Sequence, residues 1–407
     1  MKKTLALLLF SLFAAQWVSA QAPHLFEHDY PIVMEEDSRV RALMNQVSVD
    51  SLVANIEHLS SYHTRRYDSR FIYEVQDWLY GQYRRLDLDT VYKHDFKLVG
   101  LGQLETADNI IAIQYGTTHP EEFVVCGAHY DSYAWDGYDP DTIRSPGADD
   151  NASGVAGIWE TARVLSRCRF ERSIIYCLFC AEECGLQGSA AFAKDCAEQR
   201  MDIVGYFNMD MNGYLAEGND IHVNLIYTTQ DSTFADYFYR FSRTYFPEMP
   251  IYQSWLSGGD SDFSSFNRNG YAALFPHEDT HASSPYIHSR NDVLGLSVNN
   301  LEQSKRFAEL NLGAVAILAG LEDAAVDAHE KAWCKVYPNP ATNSININAD
   351  VALRQVMVFN AVGQQMAQHN FNGMNSVSID ASNYHSGIYM LRIVTDHGVW
   401  TERLVVR

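Results

Sequence analysis

Apolar positions in the middle of the chain follow two different spacings. Short continuous apolar segments, rich in β-branched and aromatic residues, are typical of strands buried on both faces. They cover residues 122–128, 173–180, 203–209 and 271–275. Elsewhere apolar residues recur every three or four positions, as on one face of a helix. These helical segments cover residues 51–86, where two helices are expected, 155–165 and 307–321. Strands that alternate with helices predict an α/β domain with a mixed central sheet flanked by helices.

The spacing changes after residue 325. Short alternating segments replace the helical pattern, and glycines recur near their turns. This pattern predicts a small all-β sandwich domain at the end of the chain. The predicted organisation is an N-terminal arm or pro-segment at residues 21–47, the α/β domain at 48–325, a linker at 326–334 and the β domain at 335–407.

The first twenty residues have the pattern of a secretory signal. Lys2 and Lys3 precede an apolar run at residues 5–15, and the small-residue exit Val18, Ser19, Ala20 follows. Such a segment is cleaved on export, and no other segment is apolar enough to span a bilayer. We therefore expect a protein that is exported through the periplasm and is secreted or held at the cell surface, with no membrane span after cleavage.

Charge and cysteine content narrow the function classes. A formal net charge of -21 disfavours nucleic acids and anionic membranes as partners, because both would be repelled. The cysteine count of 7 is odd, and Cys126, Cys177 and Cys180 lie in apolar runs typical of buried thiols. The sequence therefore predicts no disulfide framework, although it leaves one bridge open, between Cys184 and Cys196.

Two of the strings with metal-binding chemistry follow the first predicted strand. His129 comes directly after the strand, and Asp131 is placed to hold the second imidazole nitrogen, as carboxylates behind metal-binding histidines do. Further on, Asp149 and Asp150 lie between glycines just before a helix. A turn with an N-cap would explain one acid there, whereas two adjacent acids also suit a carboxylate that bridges two cations.

The remaining strings follow later strands. Glu182 and Glu183 are adjacent after a buried strand with no nearby lysine or arginine, which is costly unless a cation offsets them. A solvated charged turn is the alternative. Asp210 lies between two methionines, and His288 lies in a loop before the last long helix. Together these histidines and carboxylates form an N/O ligand set suited to paired zinc ions that share a water or hydroxide.

These strings occur in the order found in a known family. The segments His129-Tyr-Asp-Ser, Gly147-Ala-Asp-Asp-Asn-Ala-Ser-Gly, Ala181-Glu-Glu-Cys-Gly-Leu, Asn208-Met-Asp-Met and Ile287-His resemble those of the bacterial secreted leucyl aminopeptidases. These enzymes belong to metallopeptidase family twenty-eight, which also includes the glutaminyl cyclases. The resemblance covers residues 48–325 and implies the zinc exopeptidase fold, peptide substrates and hydrolysis of N-terminal residues.

The resemblance also implies roles for individual residues. Asp150 would bridge two zinc ions, with His129 and Asp210 completing one ion and Glu183 and His288 the other. Glu182 would be the general base, which takes a proton from the bridging water and passes it to the leaving amine. Asp131 would orient His129.

Some polar segments fall outside this set. Many relatives have Ser-Asp-His before a wall of the pocket, whereas this chain has Ser261, Asp262 and Phe263, so its side-chain preference is left open. A polar cluster at His277, Glu278, Asp279 and His281 is expected either to line the pocket or to form a hydrated loop. Asp136, Asp139 and Asp141 do not have the spacing of an EF-hand loop.

The C-terminal domain carries a second resemblance. Tyr337-Pro-Asn-Pro, Val362-Gly-Gln, Ser386-Gly-Ile-Tyr and the terminal Leu404-Val-Val-Arg resemble the type A sorting domain of type IX secretion substrates. This resemblance implies an address that is read by the type IX machinery. The alternative is a generic β-sandwich module.

Two other functions stay open at this stage. A glutaminyl cyclase-like acyltransferase would use a single zinc ion, and a non-catalytic binding module would keep the fold without metals. The presence of every candidate ligand and of Glu182 favours the peptidase.

Overall fold

The computed structural model describes residues 22–99, 106–135, 137, 139, 141–322, 334–360, 363–395 and 398–407. The predicted signal segment, Asp136 and residues 326–333 of the predicted linker lie outside the described residues. Within the described ranges, no helix is both long and apolar enough to cross a membrane.

A sheet of 8 strands forms the centre of the larger domain. The strands are β1 Thr90–Lys97, β2 Thr106–Gln114, β3 His119–His129, β4 Arg172–Phe179, β5 Asp202–Asn208, β6 Val223–Ile226, β7 Ile251–Ser254 and β8 Ala273–His277. Their spatial order is β1-β2-β4-β3-β5-β8-β6-β7. Neighbours among β4, β3, β5 and β8 are parallel, as are β6 and β7, whereas the β1–β2, β2–β4 and β6–β8 pairs are antiparallel. The predicted mixed sheet is confirmed, and the carboxyl ends of its central strands meet at one edge.

The strands predicted from continuous apolar runs are the central ones. β3, β4, β5 and β8 are almost entirely buried, which is why their sequences show the pattern of two covered faces. Strands β1, β2, β6 and β7 were not predicted from the sequence. The edge strand β1 is partly exposed and contains lysines and an aspartate, so its apolar signal is weak.

Helices cover both faces of the sheet. They are α1 Ser38–Met44, α2 Val49–Ser61, α3 Ile72–Tyr83, α4 Gly154–Leu165, α5 Gln187–Glu198, α6 Ser232–Tyr245, α7 Phe263–Arg268 and α8 Leu301–Leu318. Buried residues of α2, α4, α6 and α8 join one apolar core, and those of α5 and α7 join a second core on the other face. Ser48 and Asn300 cap α2 and α8 by accepting hydrogen bonds from backbone amides three residues on.

The N-terminal arm packs against the body of the domain. The amide of Leu25 donates to the carbonyl of Gly270 at 2.8 Å, and Nε2 of His28 lies 2.9 Å from Oδ1 of Asp202 at the start of β5. The Tyr30 ring stacks on Phe234 with centroids 4.8 Å apart. The arm therefore contacts the end of β5 that is remote from the carboxyl ends.

The cysteine thiols of Cys184 and Cys196 are free, so the bridge left open between them does not form. Cys196 is fully buried in the core that includes α5, whereas the Cys184 thiol is directed towards the carbonyl of Ala181. The two thiols therefore lie in different surroundings.

The C-terminal domain is all-β, as predicted, and its strands pair antiparallel. Its strands are β9 Cys334–Tyr337, β10 Ser344–Asn360, β11 Gln365–Asp380, β12 Gly387–Thr395 and β13 Gly398–Val406. The long β10 pairs with β9, β11 and β12, and a parallel bridge joins Ala341 to Val406 near the end of β13. The sheet thereby folds into a sandwich that approaches a barrel around its own apolar core.

One face of the C-terminal domain is packed on the larger domain. Met357 and Phe359 of β10 belong to the same buried cluster as Phe123 of β3. The Phe359 ring stacks on Tyr115 with centroids 4.1 Å apart. The Asn360 side chain also donates a hydrogen bond to the side chain of Gln199. The described parts of the two domains therefore share a continuous apolar interface.

A double-mutant cycle tests this interface. We expect Tyr115→Leu and Phe359→Leu each to lower the free energy of unfolding, and the two changes to be non-additive by about 0.5–1.5 kcal/mol, because stacked aromatic pairs contribute that much beyond burial. Urea denaturation of the wild type, both single variants and the double variant measures the coupling. Strictly additive losses would contradict the packed arrangement.

Candidate metal centre

The side chains with metal-binding chemistry come from the carboxyl edge of the sheet. His129 is the last residue of β3, Glu182 and Glu183 follow β4, and Asp210 follows β5. Because these strands are parallel neighbours, their ends bring the side chains to one place, as is usual in α/β sheets. Asp150 lies in a kinked turn at residues 148–153 before α4, where its own backbone angles are not helical, and His288 lies in the loop between β8 and α8.

Asp150 lies between two groups of donors. Its Oδ1 is 3.2 Å from Nε2 of His129, and the same nitrogen is 3.3 Å from Oδ1 of Asp210. Its Oδ2 is 3.0 Å from Nε2 of His288, which is itself 2.9 Å from Oε2 of Glu183. Ligand atoms of Asp150, Glu183 and His288 all lie within 4.8 Å of one another, as do those of His129, Glu182 and Asp210. One carboxylate thus faces two histidine–carboxylate pairs.

Several of these atoms are buried without hydrogen-bond partners in the described part of the chain. They are Nε2 of His129, Oδ1 of Asp210 and Oε1 of Glu183. Buried polar atoms are normally satisfied, so a set of orphaned donor and acceptor atoms pointing to one place calls for a ligand. Imidazole nitrogens and carboxylate oxygens in this number fit zinc.

The electrostatics of the cluster support the same conclusion. Burial, together with the Asp150 carboxylate, raises the pKa of Glu183 to about 8. Burial also raises the pKa of Glu182 well above its usual value. Against the effect of burial, hydrogen bonds to Asp150 and Glu183 raise the pKa of His288 to about 11. Negative charge therefore dominates this edge of the sheet, and divalent cations are the species that would keep these carboxylates ionised and the imidazoles neutral.

Comparison with known proteins places this geometry in a family. The model of "Peptidase family M28" matches residues 109–312, which is half of the chain and contains each of these side chains. The chain belongs to peptidase family M28. The fold class and the zinc-metallopeptidase assignment reached from the sequence are thereby confirmed.

Individual relatives agree with the family. The chain is 28% identical over 301 residues to "Leucine aminopeptidase 1" of Trichophyton equinum, covering 71% of this chain and 79% of that protein. The crystal structure of the LapA aminopeptidase of Legionella pneumophila has a TM-score of 0.61 and 25% identity, covering 73% of this chain and 78% of that one. A glutaminyl cyclase of Fimbriiglobus ruber shares the fold with a TM-score of 0.55 and 17% identity, over 67% of this chain and 95% of that one.

The end of this M28 peptidase matches a second family. The model described as "Secretion system C-terminal sorting domain" covers residues 335–407. The resemblance to a sorting domain is confirmed, and it indicates that the peptidase is exported to the medium or the cell surface.

Asp131 contacts His129 and the backbone of both glutamates of the M28 site. Its backbone carbonyl lies 3.2 Å and its Oδ1 3.5 Å from Nδ1 of His129. Both atoms are acceptors, so Nδ1 carries the proton and the Nε2 lone pair is available. The Asp131 carboxylate also accepts from the amides of Glu182 and Glu183 at 3.1 and 3.3 Å. One side chain thereby positions the ends of β3 and β4.

Two further side chains hold the carboxylates, and the sequence analysis did not assign them. Asp292 accepts hydrogen bonds from the amides of Asp149 and Asp150 at 2.9 and 3.1 Å. The Ser261 hydroxyl donates to Oδ2 of Asp210 at 2.7 Å. Ser261 was visible in the Ser-Asp-Phe string, but only as a departure from relatives. No sequence signal distinguishes Asp292 from an ordinary loop aspartate.

Arg65 binds the loops that carry the candidate ligands, and this role was not predicted from the sequence. Its guanidinium is fully buried and donates to the carbonyls of Tyr130, Leu59 and Gly147 at 2.8, 3.1 and 2.8 Å, and also to the carbonyl of Pro146. The carbonyl of Tyr130 is next to His129 along the chain, and those of Pro146 and Gly147 come shortly before Asp150. Gly147 itself has φ of +56°, and a Cβ there would lie 2.5 Å from Cβ of Ser132, so this turn requires glycine.

The other polar cluster does not form a metal group. His277 borders the cavity next to the centre, and the Glu278 carboxylate accepts from the amides of Tyr214 and Ser284. Asp279 instead points towards His222, with a nearest separation of 3.7 Å. These side chains therefore diverge, and only His277 reaches the cavity.

Replacement of Arg65 tests its role in holding the loops. We expect Arg65→Met to lower the free energy of unfolding by at least about 3 kcal/mol, since several buried carbonyls lose their donor and each loss costs about 1–3 kcal/mol. Urea denaturation measures the change. Arg240→Met, which removes an exposed pair with Asp236 on α6, is the matched control and should cost about 0.5 kcal/mol or less. Equal effects of the two replacements would contradict the role given to Arg65.

Proposed function

We propose that this protein is an exported aminopeptidase that uses two zinc ions to remove N-terminal residues from peptides. The observation that carries the proposal is the position of Asp150, whose two oxygens face separate histidine–carboxylate pairs. A single ion would engage one pair and leave the other pair buried without a partner. The aminopeptidase names of the relatives support the same activity.

The ligand assignment follows the two groups. His129, Asp210 and Oδ1 of Asp150 would hold one ion. Glu183, His288 and Oδ2 of Asp150 would hold the other. Glu182 is also within 4.8 Å of the first group. Since Asp150 already supplies a third donor there, Glu182 is left for proton transfer.

When bound, the zinc pair polarises the scissile carbonyl and lowers the pKa of the attacking water. Glu182 borders both the metal residues and the cavity, so it can accept the proton of that water and pass it to the leaving amine. Asp131 acts through the positions of His129 and Glu182 rather than on the substrate.

The substrate side is a cavity of about 490 Å³ that begins at the metal residues. Met211, Phe275 and Ile287 supply apolar walls, and none of the described arm residues borders the cavity. A cavity of this size that opens to solvent beside the centre has room for one terminal side chain, which is the property that an exopeptidase needs.

Glutaminyl cyclase activity is the competing proposal within the same fold. It would use one zinc ion and needs no attacking water. The two separate donor pairs around Asp150 favour the two-ion hydrolase, and metal stoichiometry distinguishes the two.

For export, we propose that residues 335–407 form the address read by the type IX machinery, after passage of the chain through the periplasm with a signal at residues 1–20. The α/β peptidase domain would then comprise residues 48–325, preceded by the arm at 21–47 and joined to the address by residues 326–334.

Glu182→Gln tests the general base. We expect kcat on aminoacyl nitroanilides to fall about 10²–10⁴-fold, because the amide cannot accept the proton, while two zinc ions per chain stay bound. Steady-state kinetics and metal analysis give the two readings. Glu198→Gln on α5, whose side chain is 64% exposed, is the matched control and should leave both unchanged. Normal turnover by Glu182→Gln would remove Glu182 from this role.

Replacement of single ligands tests the two-ion arrangement. We expect two zinc ions per wild-type chain, about one after His129→Ala or His288→Ala, and loss of both after Asp150→Ala, because only Asp150 contacts both groups. Mass spectrometry of the native protein and elemental analysis count the ions. A wild-type content of one ion, lost completely with either histidine, would support the single-zinc alternative.

A further inference from the structure

The cavity beside the metal residues has two unlike walls. Met211, Leu256 and Ile287 form an apolar side, whereas a polar side contains His277 and Thr280. A polar wall would lower the affinity of the pocket for a purely apolar side chain, because the polar groups of the wall would be buried without a partner. The polar wall therefore bears on which N-terminal side chain the cavity accepts.

His277 is held in one orientation and one tautomer. It is the last residue of β8 and only 2% exposed, and its ring meets the edge of Phe275 with centroids 5.0 Å apart. Nδ1 lies 2.9 Å from the carbonyl oxygen of Glu278. Because a carbonyl can only accept, Nδ1 donates, and Nε2 carries a lone pair. Burial lowers the pKa of His277, so the ring is neutral at neutral pH.

Nε2 of His277 is the open acceptor on this wall. It has no hydrogen bond to any described residue, and the ring borders the cavity. The neighbouring polar groups are already engaged. The Thr280 hydroxyl lies 3.0 Å from Oδ1 of Asn224 and 2.6 Å from the hydroxyl of Ser254. At the rim, Asp260 and Arg268 pair with each other at 2.5 Å.

We propose that His277 makes the cavity select N-terminal side chains that have an apolar stem and a neutral hydrogen-bond donor at the tip, such as asparagine and glutamine. The stem lies along the apolar wall, and the terminal amide donates to Nε2. A cationic side chain is disfavoured because the carboxylate on this side, Asp260, is already paired with Arg268. The inference rests on the proposed aminopeptidase function and assigns its substrate class.

The test compares substrates that differ mainly in the donor. For the wild type and His277→Phe, kcat/KM is measured on the nitroanilides of asparagine and leucine, and of glutamine and methionine. We expect the replacement to lower both the Asn-to-Leu and the Gln-to-Met ratios about tenfold, because the donor loses its acceptor while the apolar partner does not. His277→Gln keeps an acceptor and should recover part of the preference.

Controls separate the pocket from general effects. His222→Phe removes a histidine outside the cavity and should leave both ratios unchanged. His277→Leu provides the same measurement with a smaller side chain should the phenylalanine variant not fold. Ratios within twofold of the wild type in a folded, zinc-loaded variant would overturn the inference.

A binding measurement distinguishes this inference from the proposed function. Calorimetry of free asparagine and leucine with the zinc-loaded wild type and His277→Phe requires no turnover, and the same tenfold change in their affinity ratio is expected. If the wild type hydrolysed none of the aminoacyl substrates, the proposed function would be overturned. An unchanged affinity ratio would overturn the role of His277 alone.

Discussion

The repulsion between buried carboxylates at the end of three parallel strands is the constraint on which the rest of this structure depends. Asp150 and Asp210 are buried, Glu182 and Glu183 are partly buried beside the cavity, and burial raises the pKa of both glutamates. Without positive charge this arrangement would favour protonation or separation of the strand ends. In the proposed function, divalent cations offset this repulsion, and the same carboxylates serve as their ligands and as the base.

The supporting residues make the cluster rigid rather than merely close. Asp131 ties the end of β3 to the segment after β4, Ser261 restrains Asp210, and Asp292 receives the backbone of the Asp150 turn. The guanidinium of Arg65 is fully buried and donates to the carbonyl of Tyr130, next to His129, and to that of Gly147, shortly before Asp150. Metal ligands need positions accurate to fractions of an ångström, and these hydrogen bonds supply that accuracy.

Much of this could be predicted from sequence, and the reason is physical. Strands buried on both faces leave continuous apolar runs, so β3, β4, β5 and β8 were found together with the acids and histidine that follow them. The edge strand β1 was not, because one side of it meets solvent. Asp292 and Arg65 were not found because their partners are backbone groups far along the chain, 143 residues away for the amide of Asp149 and 82 for the carbonyl of Gly147. Backbone groups leave no mark in a sequence.

The C-terminal domain contacts the larger domain near Phe123 and Gln199, at the amino ends of β3 and β5, whereas the metal residues follow their carboxyl ends. The six steps along the strand from Phe123 to His129 span about 20 Å. A molecule held at a surface through its C-terminal domain would therefore have the opening of its cavity directed away from that surface. Arriving peptides would meet the opening without having to pass between the enzyme and the surface that holds it.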